Sequence, residues 1–256
     1  MENHEKLIID QFTKQAVPFA NISGHSAEEA TKLLIDMANI SKEDTILDGA
    51  CGPGILGCAL APYAKQVVGI DLVPAMVESA QKLQKEKELS NVSWEIGNVS
   101  SLSYDDSFFS VAVSRYSFHH FQNPEIILNE MVRIVKPKGK VAIIDVFTHS
   151  NDQSFAYDSL EKLRDPSHVH TLTLVELQEM AVGAGLFNLR VKFYKVEIPL
   201  EAQLNASFPK QESDKDIIRK TAVDDIRKDS LGWGVHMKGE KVYTSLPIAV
   251  IVGEKA

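Results

Sequence analysis

Gly52, Gly54 and Gly57 stand in G-x-G-x-x-G spacing, with the carboxylate of Asp48 before them and that of Asp71 after them. A glycine-rich turn between a strand and a helix suits a nucleotide, but the spacing alone serves nicotinamide and flavin dinucleotides as well as other nucleosides. The two acids separate these readings. A carboxylate at the end of the first strand repels a pyrophosphate and attracts an ammonium group. An acid ending the next strand accepts hydrogen bonds from ribose hydroxyls. Taken singly, Asp48 reads as a turn residue and Asp71 as a helix cap, both ordinary places for aspartate. Together, at this spacing, they point to a nucleoside that carries an amino acid.

A second set of candidates lies downstream: Arg115, His119 and His120, and the run Arg164-Asp165-Pro166-Ser167-His168-Val169-His170. Histidine titrates near neutral pH and can take a proton from a nucleophile that must lose one. His119 and His120 adjoin Phe118 and Phe121, so a packed structural role stands beside the catalytic one. His168 and His170 alternate as strand residues would, and zinc needs further ligands that the sequence does not supply, so no metal is assigned. His168 remains as a base or substrate contact. Arg164 either pairs with Asp165 or Glu161 on the surface or faces a pocket, where it would suit an anionic group. Trp233, in a Gly-Trp-Gly turn, reads as a stacking platform or as core. Cys51 and Cys58 have neither redox nor zinc spacing and are expected to be reduced thiols.

These residues need a scaffold. Apolar residues recur at helical spacing over 26–40, opened by the capping pair Ser26 and Glu29. Strands are expected at 45–48, 66–71, 91–96, 108–114 and 140–147, alternating with helices at 55–61, 74–87 and 124–135, and with a turn at 136–139. Helices follow at about 154–163 and 174–184, the second capped by Thr173 and Glu176, then strands near 189–198 and 242–252. A polar, helix-prone stretch over 200–230 separates the last two. The alternation predicts an α/β fold, a Rossmann-like doubly wound and mostly parallel sheet, with an antiparallel last strand and a helical insertion before it. Residues 1–256 are read as a single domain, and ligands of such sheets bind at the carboxyl ends of the strands.

The 35 acidic and 27 basic residues give a formal charge of -8, the wrong sign for a surface that neutralises nucleic-acid phosphates. No apolar run approaches the roughly 20 residues of a membrane span. The N-terminus carries no signal-peptide pattern, so a cytoplasmic protein is expected, and a homodimer is compatible with the sequence.

The segments Asp48-Gly49-Ala50-Cys51-Gly52-Pro53-Gly54, Gly69-Ile70-Asp71 with Pro74-Ala75-Met76, Gly97-Asn98-Val99, and Ser114-Arg115-Tyr116-Ser117-Phe118-His119-His120-Phe121 resemble successive motifs of the class I S-adenosylmethionine-dependent methyltransferases. They are most similar to the branch with the ubiquinone and menaquinone C-methyltransferases. The resemblance is strong over residues 40–147 and weaker toward both ends. It implies S-adenosyl-L-methionine as cofactor, with Ala50, Gly52 and Gly54 under the methionine moiety, Asp48 toward its amino group and Asp71 on the ribose. Leu72, Asn98, Val99 and Ser114 complete the implied set. Asn98 stands where the family usually has Asp, and would accept from the adenine amino group through its amide oxygen. Ala50 likewise replaces the commoner glycine. Relatives place a similar Arg-Asp-Pro-Ser-His run over the substrate pocket, which implies Arg164 and His168 there. With the residues read above, the candidate substrate contacts are Arg115, Arg164, Phe19 and Trp233 and the catalytic candidates His168, His119 and His120. Residues 1–25 would be a lid, or simple packing across the sheet edge. The implied activity is methyl transfer to an O, N or C atom of a small-molecule metabolite. The alternatives are a silent cofactor-binding regulator and, against the charge of Asp48, a dehydrogenase.

Overall fold

The computed structural model describes residues 2–20 and 28–256, apart from the side chains of Glu2, Val17, Phe19 and Ala20. The cap expected at Ser26 therefore lies outside the described residues.

Chain order begins with helices α1 (Glu2–Ala20) and α2 (Glu28–Ala38), then strand β1 (Thr45–Gly49), α3 (Ile55–Leu60), β2 (Gln66–Asp71), α4 (Pro74–Glu86) and β3 (Val92–Ile96). It continues through β4 (Phe109–Arg115), α5 (Pro124–Ile134), β5 (Val135–Val146), α6 (Asn151–Arg164), α7 (Leu174–Gly183) and β6 (Leu186–Pro199). Helices α8 (Leu200–Asn205) and α9 (Asp214–Asp224) and strands β7 (His236–Lys238) and β8 (Lys241–Lys255) close the chain. One sheet in the order β3-β2-β1-β4-β5-β8-β6 runs through it, with β7 paired to β8. Strands β3 through β5 are parallel to one another, and β8 is antiparallel to both of its neighbours. Strand order reverses between β1 and β4, which opens a crevice at their carboxyl ends.

Local causes are readable. Strand β1 is buried along Ile46, Leu47 and Asp48 because both faces of the sheet carry helices. Pro62 ends α3, the chain passing through a single tight turn at Ala61–Tyr63. Thr173 and Glu176 form the expected reciprocal cap of α7.

Two differences from the sequence reading concern the strands. The turn at 136–139 lies within β5: Phe109 pairs with Val135 and Val111 with Lys140, so these four residues bulge out of the ladder. Strand β7 was not foreseen. It is short and is held by a two-residue turn opened by Gly239 at φ +65.

A larger difference is α1. Its pattern is weak and it contains Pro18, yet its Ile8, Ile9, Phe12 and Ala16 pack on Val73, Ala75 and Met76 around the start of α4. Tertiary burial stabilises this helix more than its own periodicity does.

Candidate active site

Asp48 lies near the carboxyl end of β1 and Arg115 ends β4, the two strands flanking the crevice. After β1 the chain turns through left-handed conformations at Ala50 (φ +54), Gly52 (φ +54) and Gly54 (φ +77). That conformation costs a residue with a Cβ roughly 1–2 kcal/mol, which is the physical reason glycine would suit position 50 better than alanine. Asp71 ties the loop to β2: its Oδ2 accepts from the Gly52 amide at 2.7 Å and its Oδ1 from the Val73 amide at 2.9 Å.

The glycines serve different ends. A Cβ on Gly54 would stand 2.7 Å from Ala80 and from the Trp94 ring, and one on Gly57 3.0 Å from that ring. Trp94, held by its indole N–H on Gln84 at 2.8 Å, fills the groove that the missing side chains leave. Gly52 differs, since a Cβ there would meet nothing within 4 Å.

A cavity of about 170 Å³ follows, lined by Asp48, Ala50, Gly52, Asp71, Leu72, Asn98 and Val99 of the expected cofactor set, and by Arg115, which was expected against the substrate and does not line the inner cavity described below. Gly54 and Ser114 do not line it. Gly54 packs inward, and Ser114 is buried with its hydroxyl donating to the Gly49 carbonyl at 2.6 Å.

Burial pushes the Asp48 carboxyl up to about 7, although the Arg115 charge and the Gly57 amide pull the other way. Its Oδ2 is buried with no hydrogen-bond partner among the described residues. An unsatisfied buried carboxylate oxygen is costly and calls for a cationic or donor group. Burial also raises Asp71, against the amides of Val73, Gly52 and Leu72. Each of its oxygens keeps a lone pair for a hydroxyl. An orphaned acceptor at one end and a loop with open space at Gly52 fit a nucleoside that bears an ammonium.

Helix α1 forms one wall through His4, Glu5, Ile8 and Phe12. Polar ties hold it: His4 Nε2–H donates to the His120 carbonyl at 2.9 Å, Gln15 to Asp165 at 2.9 Å, and Asn98 to Glu5 at 2.9 Å. The Phe19 side chain, expected against the substrate, lies outside the described residues.

A second, inner cavity of about 90 Å³ adjoins the first, with Phe12, Tyr116 and His120 lining both. Since about 10–15 Å³ holds one water, it has room for a small group of heavy atoms. Tyr116 holds φ +58, an unusual conformation for a bulky residue, with its hydroxyl 2.7 Å from that of Tyr194. His119, His120, His168 and Arg164 all line this inner space.

The histidines differ in their surroundings. His119 Nδ1 lies 2.7 Å from Asp145 Oδ1, and Asp145 also accepts the amides of Val146 and Phe118, each at 2.7 Å. A carboxylate only accepts, so Nδ1 carries the hydrogen and Nε2 keeps its lone pair. Burial disfavours the charged ring, but the charge and hydrogen bond of Asp145 outweigh it and raise the His119 pKa. His120 donates Nδ1–H to the Ser167 carbonyl at 3.1 Å, and burial followed by the His119 charge pushes its pKa well down.

His168 and His170 are not strand residues: the chain from Asp165 to Leu172 is turn and irregular loop. Both rings donate to one carboxylate, His168 Nε2 to Asp158 Oδ1 and His170 Nδ1 to Asp158 Oδ2, each at 2.7 Å. Thr171 N adds a third donor at 2.8 Å. The His168 side chain is 1% exposed, and burial lowers its pKa.

Two substrate contacts expected from sequence are placed elsewhere or engaged. Trp233 is fully buried core, edge-on to Tyr157, and lines neither cavity. Arg164 pairs with Glu161 at 2.7 Å and reaches the Ser207 hydroxyl, so it is an internal pair facing the inner cavity and not a surface one. Arg115 lies with its guanidinium 4.7 Å from the Tyr116 ring centre. Sequence reasoning passed over Asp145, Asp158, Glu5 and Tyr116. Of these only Asp145 had a visible signal, as the acid that interrupts an apolar strand. Cys51 and Cys58 are buried free thiols.

The fold is a Rossmann-like methyltransferase fold, with the site in the crevice at the carboxyl ends of its strands. Residues 47–143 match the family described as "Methyltransferase domain". The uncharacterized methyltransferase YcgJ of Bacillus subtilis is 26% identical over 246 residues, 95% of this chain and 97% of its own. The solved YcgJ structure superposes with a TM-score of 0.80 at 24% identity, over 89% of this chain and 98% of that one. A 2-phytyl-1,4-naphtoquinone methyltransferase of Nostoc is 35% identical over 116 residues, 44% of this chain and 50% of that protein's length. Geranyl diphosphate C-methyltransferase of Streptomyces coelicolor, solved with Mg2+, geranyl diphosphate and S-adenosyl-L-homocysteine, shares the fold with a TM-score of 0.59 at 14% identity, over 90% of this chain and 77% of that one. Among the described residues no helix is long and apolar enough to cross a membrane.

Proposed function

We propose that the protein transfers a methyl group from S-adenosyl-L-methionine to an O, N or C atom of a small molecule seated in the inner cavity. The observation that carries this reading is adjacency. Asp48, which carries the orphaned oxygen, lines one cavity, the His119–Asp145 pair lines the other, and Phe12, Tyr116 and His120 line both. When bound, the cofactor supplies an electrophilic methyl group on a sulfonium.

The chain's own part is alignment, water exclusion and proton handling. Asp48 would neutralise the ammonium, Asp71 the ribose hydroxyls, and the open backbone at Gly52 would admit the methionine moiety. Helix α1 covers the site, and a covered site strengthens the electrostatics inside it. His119 is the base for an acceptor that must lose a proton, through Nε2, with Asp145 fixing the tautomer. His168 is a less suitable base: it is enclosed and committed to Asp158. Apolar walls from Val196, Ile198, Leu246 and Ile248 face the polar side formed by His119, Glu161 and Arg164. This suits an acceptor with an apolar body and one polar end, a description that a quinol ring also meets.

The first experiment is calorimetric titration with S-adenosylhomocysteine, with NAD as control, followed by a methyl-transfer screen of small aromatic and heterocyclic acceptors. Saturable binding of the first ligand only, and transfer to at least one acceptor, supports the reading. Folded protein that ignores S-adenosylhomocysteine removes its basis.

A further inference from the structure

Position 98 holds an asparagine whose hydrogen bonds are already directed. Its Oδ1 accepts the Ser100 amide at 2.9 Å, an Asx-type turn, and its Nδ2 donates to Glu5 Oε1 on α1 at 2.9 Å. Turning the carboxamide over would set its NH2 against the Ser100 N–H and its oxygen against a carboxylate, so the two partners dictate the orientation. Asn98 therefore presents donors, and not its acceptor, toward α1. Glu5 lines the same cavity as Leu72, Val99 and Ser100 and is half-buried there. A carboxylate has about four acceptor sites. The bond from Asn98 uses one, and Glu5 Oε2 takes no hydrogen bond from a described residue.

We infer that Glu5, on the covering helix, accepts the 6-amino group of the purine, and that Asn98 positions Glu5 without reading the base itself. The inference rests on the proposed nucleoside site. Its consequence is a coupling that a reader on the sheet would not produce, because the purine edge is then recognised only when α1 is seated. The same helix is seated by His4 on the His120 carbonyl, by Gln15 on Asp165, and by Ile8, Ile9 and Phe12 on Val73 and Met76. A 6-oxo purine would set oxygen against the Glu5 carboxylate and leave that acceptor unpaired, the arrangement from which binding sites derive their strongest discrimination.

The test is calorimetric titration of the full chain, Glu5→Gln and Asn98→Ala with S-adenosylhomocysteine and with S-inosylhomocysteine, whose six-position carries oxygen in place of the amine. The wild-type chain is expected to prefer the adenosyl ligand by about tenfold or more. Glu5→Gln, which can donate as well as accept, brings the two affinities within about threefold. Asn98→Ala weakens both ligands together and keeps the preference. A melting temperature of unliganded Glu5→Gln equal to that of the wild type ties the change to recognition. Binding of S-adenosylhomocysteine with no wild-type preference, an unchanged ratio in Glu5→Gln, or a preference lost in Asn98→Ala alone overturns the Glu5 assignment and leaves the cofactor reading standing. Absence of wild-type binding to either ligand overturns both.

Discussion

Asp145 Oδ1 and His119 Nδ1 lie 2.7 Å apart, with the carboxylate at the end of a buried strand and the ring lining the inner cavity. The carboxylate is 1% exposed and also engages the amides of Val146 and Phe118, so it cannot swing away from the ring. The imidazole orientation is set by the sheet, not by the loop that carries the histidine.

A base role for His119 predicts a particular pH profile. As a base it must be neutral, and Asp145 raises its pKa above 6.5, so the rate with a proton-losing acceptor should climb through a pKa above 6.5. Asp145→Asn removes the charge that opposes burial and should move that limb to lower pH. His119→Gln should lower turnover by about 10²-fold or more with little change in S-adenosylhomocysteine affinity. Steady-state profiles with one acceptor decide this, and equal turnover in His119→Gln would remove the residue from the chemistry.

Asp48 predicts a linkage between protons and ligand. Its folded pKa of about 7 exceeds the ordinary 3.8, so between these values the folded state binds more protons than the unfolded state. Unliganded stability should then fall as pH rises from about 4 to 7, by up to roughly 4 kcal/mol, and level off above. A bound ammonium favours the ionised carboxyl, so S-adenosylhomocysteine should release a proton on binding near pH 6. Titration in buffers of different ionisation enthalpy reads that proton directly. Asp48→Asn should melt higher than wild type at pH 8 when unliganded, and bind the ligand more weakly.

The loop glycines should separate folding from binding. Gly54→Ala places a Cβ 2.7 Å from Trp94 and Ala80 at φ +77, and should cost more than about 2 kcal/mol of stability. Gly52→Ala meets no atom within 4 Å, so its cost is limited to the roughly 1 kcal/mol of a left-handed backbone. It should nevertheless impair S-adenosylhomocysteine binding, because its methyl occupies open space beside the cavity. Denaturant unfolding and calorimetry on the two variants would show whether the effects divide in this way.

Asp158 is expected to act on structure. Its carboxyl is buried, but hydrogen bonds from His168, His170 and Thr171 outweigh burial and hold it down at about 2. The folded value is depressed, so its contribution of roughly 2 kcal/mol is present above pH 4 and lost as pH falls toward 2. Asp158→Ala should destabilise the protein by about 2–4 kcal/mol at pH 7 while leaving S-adenosylhomocysteine affinity close to wild type. A variant of normal stability but poor turnover would return His168 to the catalytic group.

The parallel core was legible because each of its signals is local. Helical periodicity, proline at the start of α4 and α5, and the glycine loop mark β1 through β5 within a few residues, and Asp48 and Asp71 follow from being the last acids of β1 and β2. What the sequence could not convey were contacts between distant segments. Helix α1 has little amphipathic pattern of its own, so its place over the cavity and the pairing of Glu5 with Asn98, 93 positions away, appear only once α4 and β3 are folded beside it. Likewise the Gly-Trp-Gly turn left Trp233 open between a stacking platform and core, and packing put it in the core.

By itself, then, the sequence determined the alternation of strands and helices, the strand-loop-helix that presents Asp48, and the acid that follows it, since backbone sterics and side-chain period act over a few residues. Tertiary structure decided which histidine lines the inner cavity with a raised pKa, which glycine opens on the outer cavity and which helix covers it. Those properties depend on burial and on charges brought together from far along the chain, and neither exists before the sheet and its covering helices have assembled.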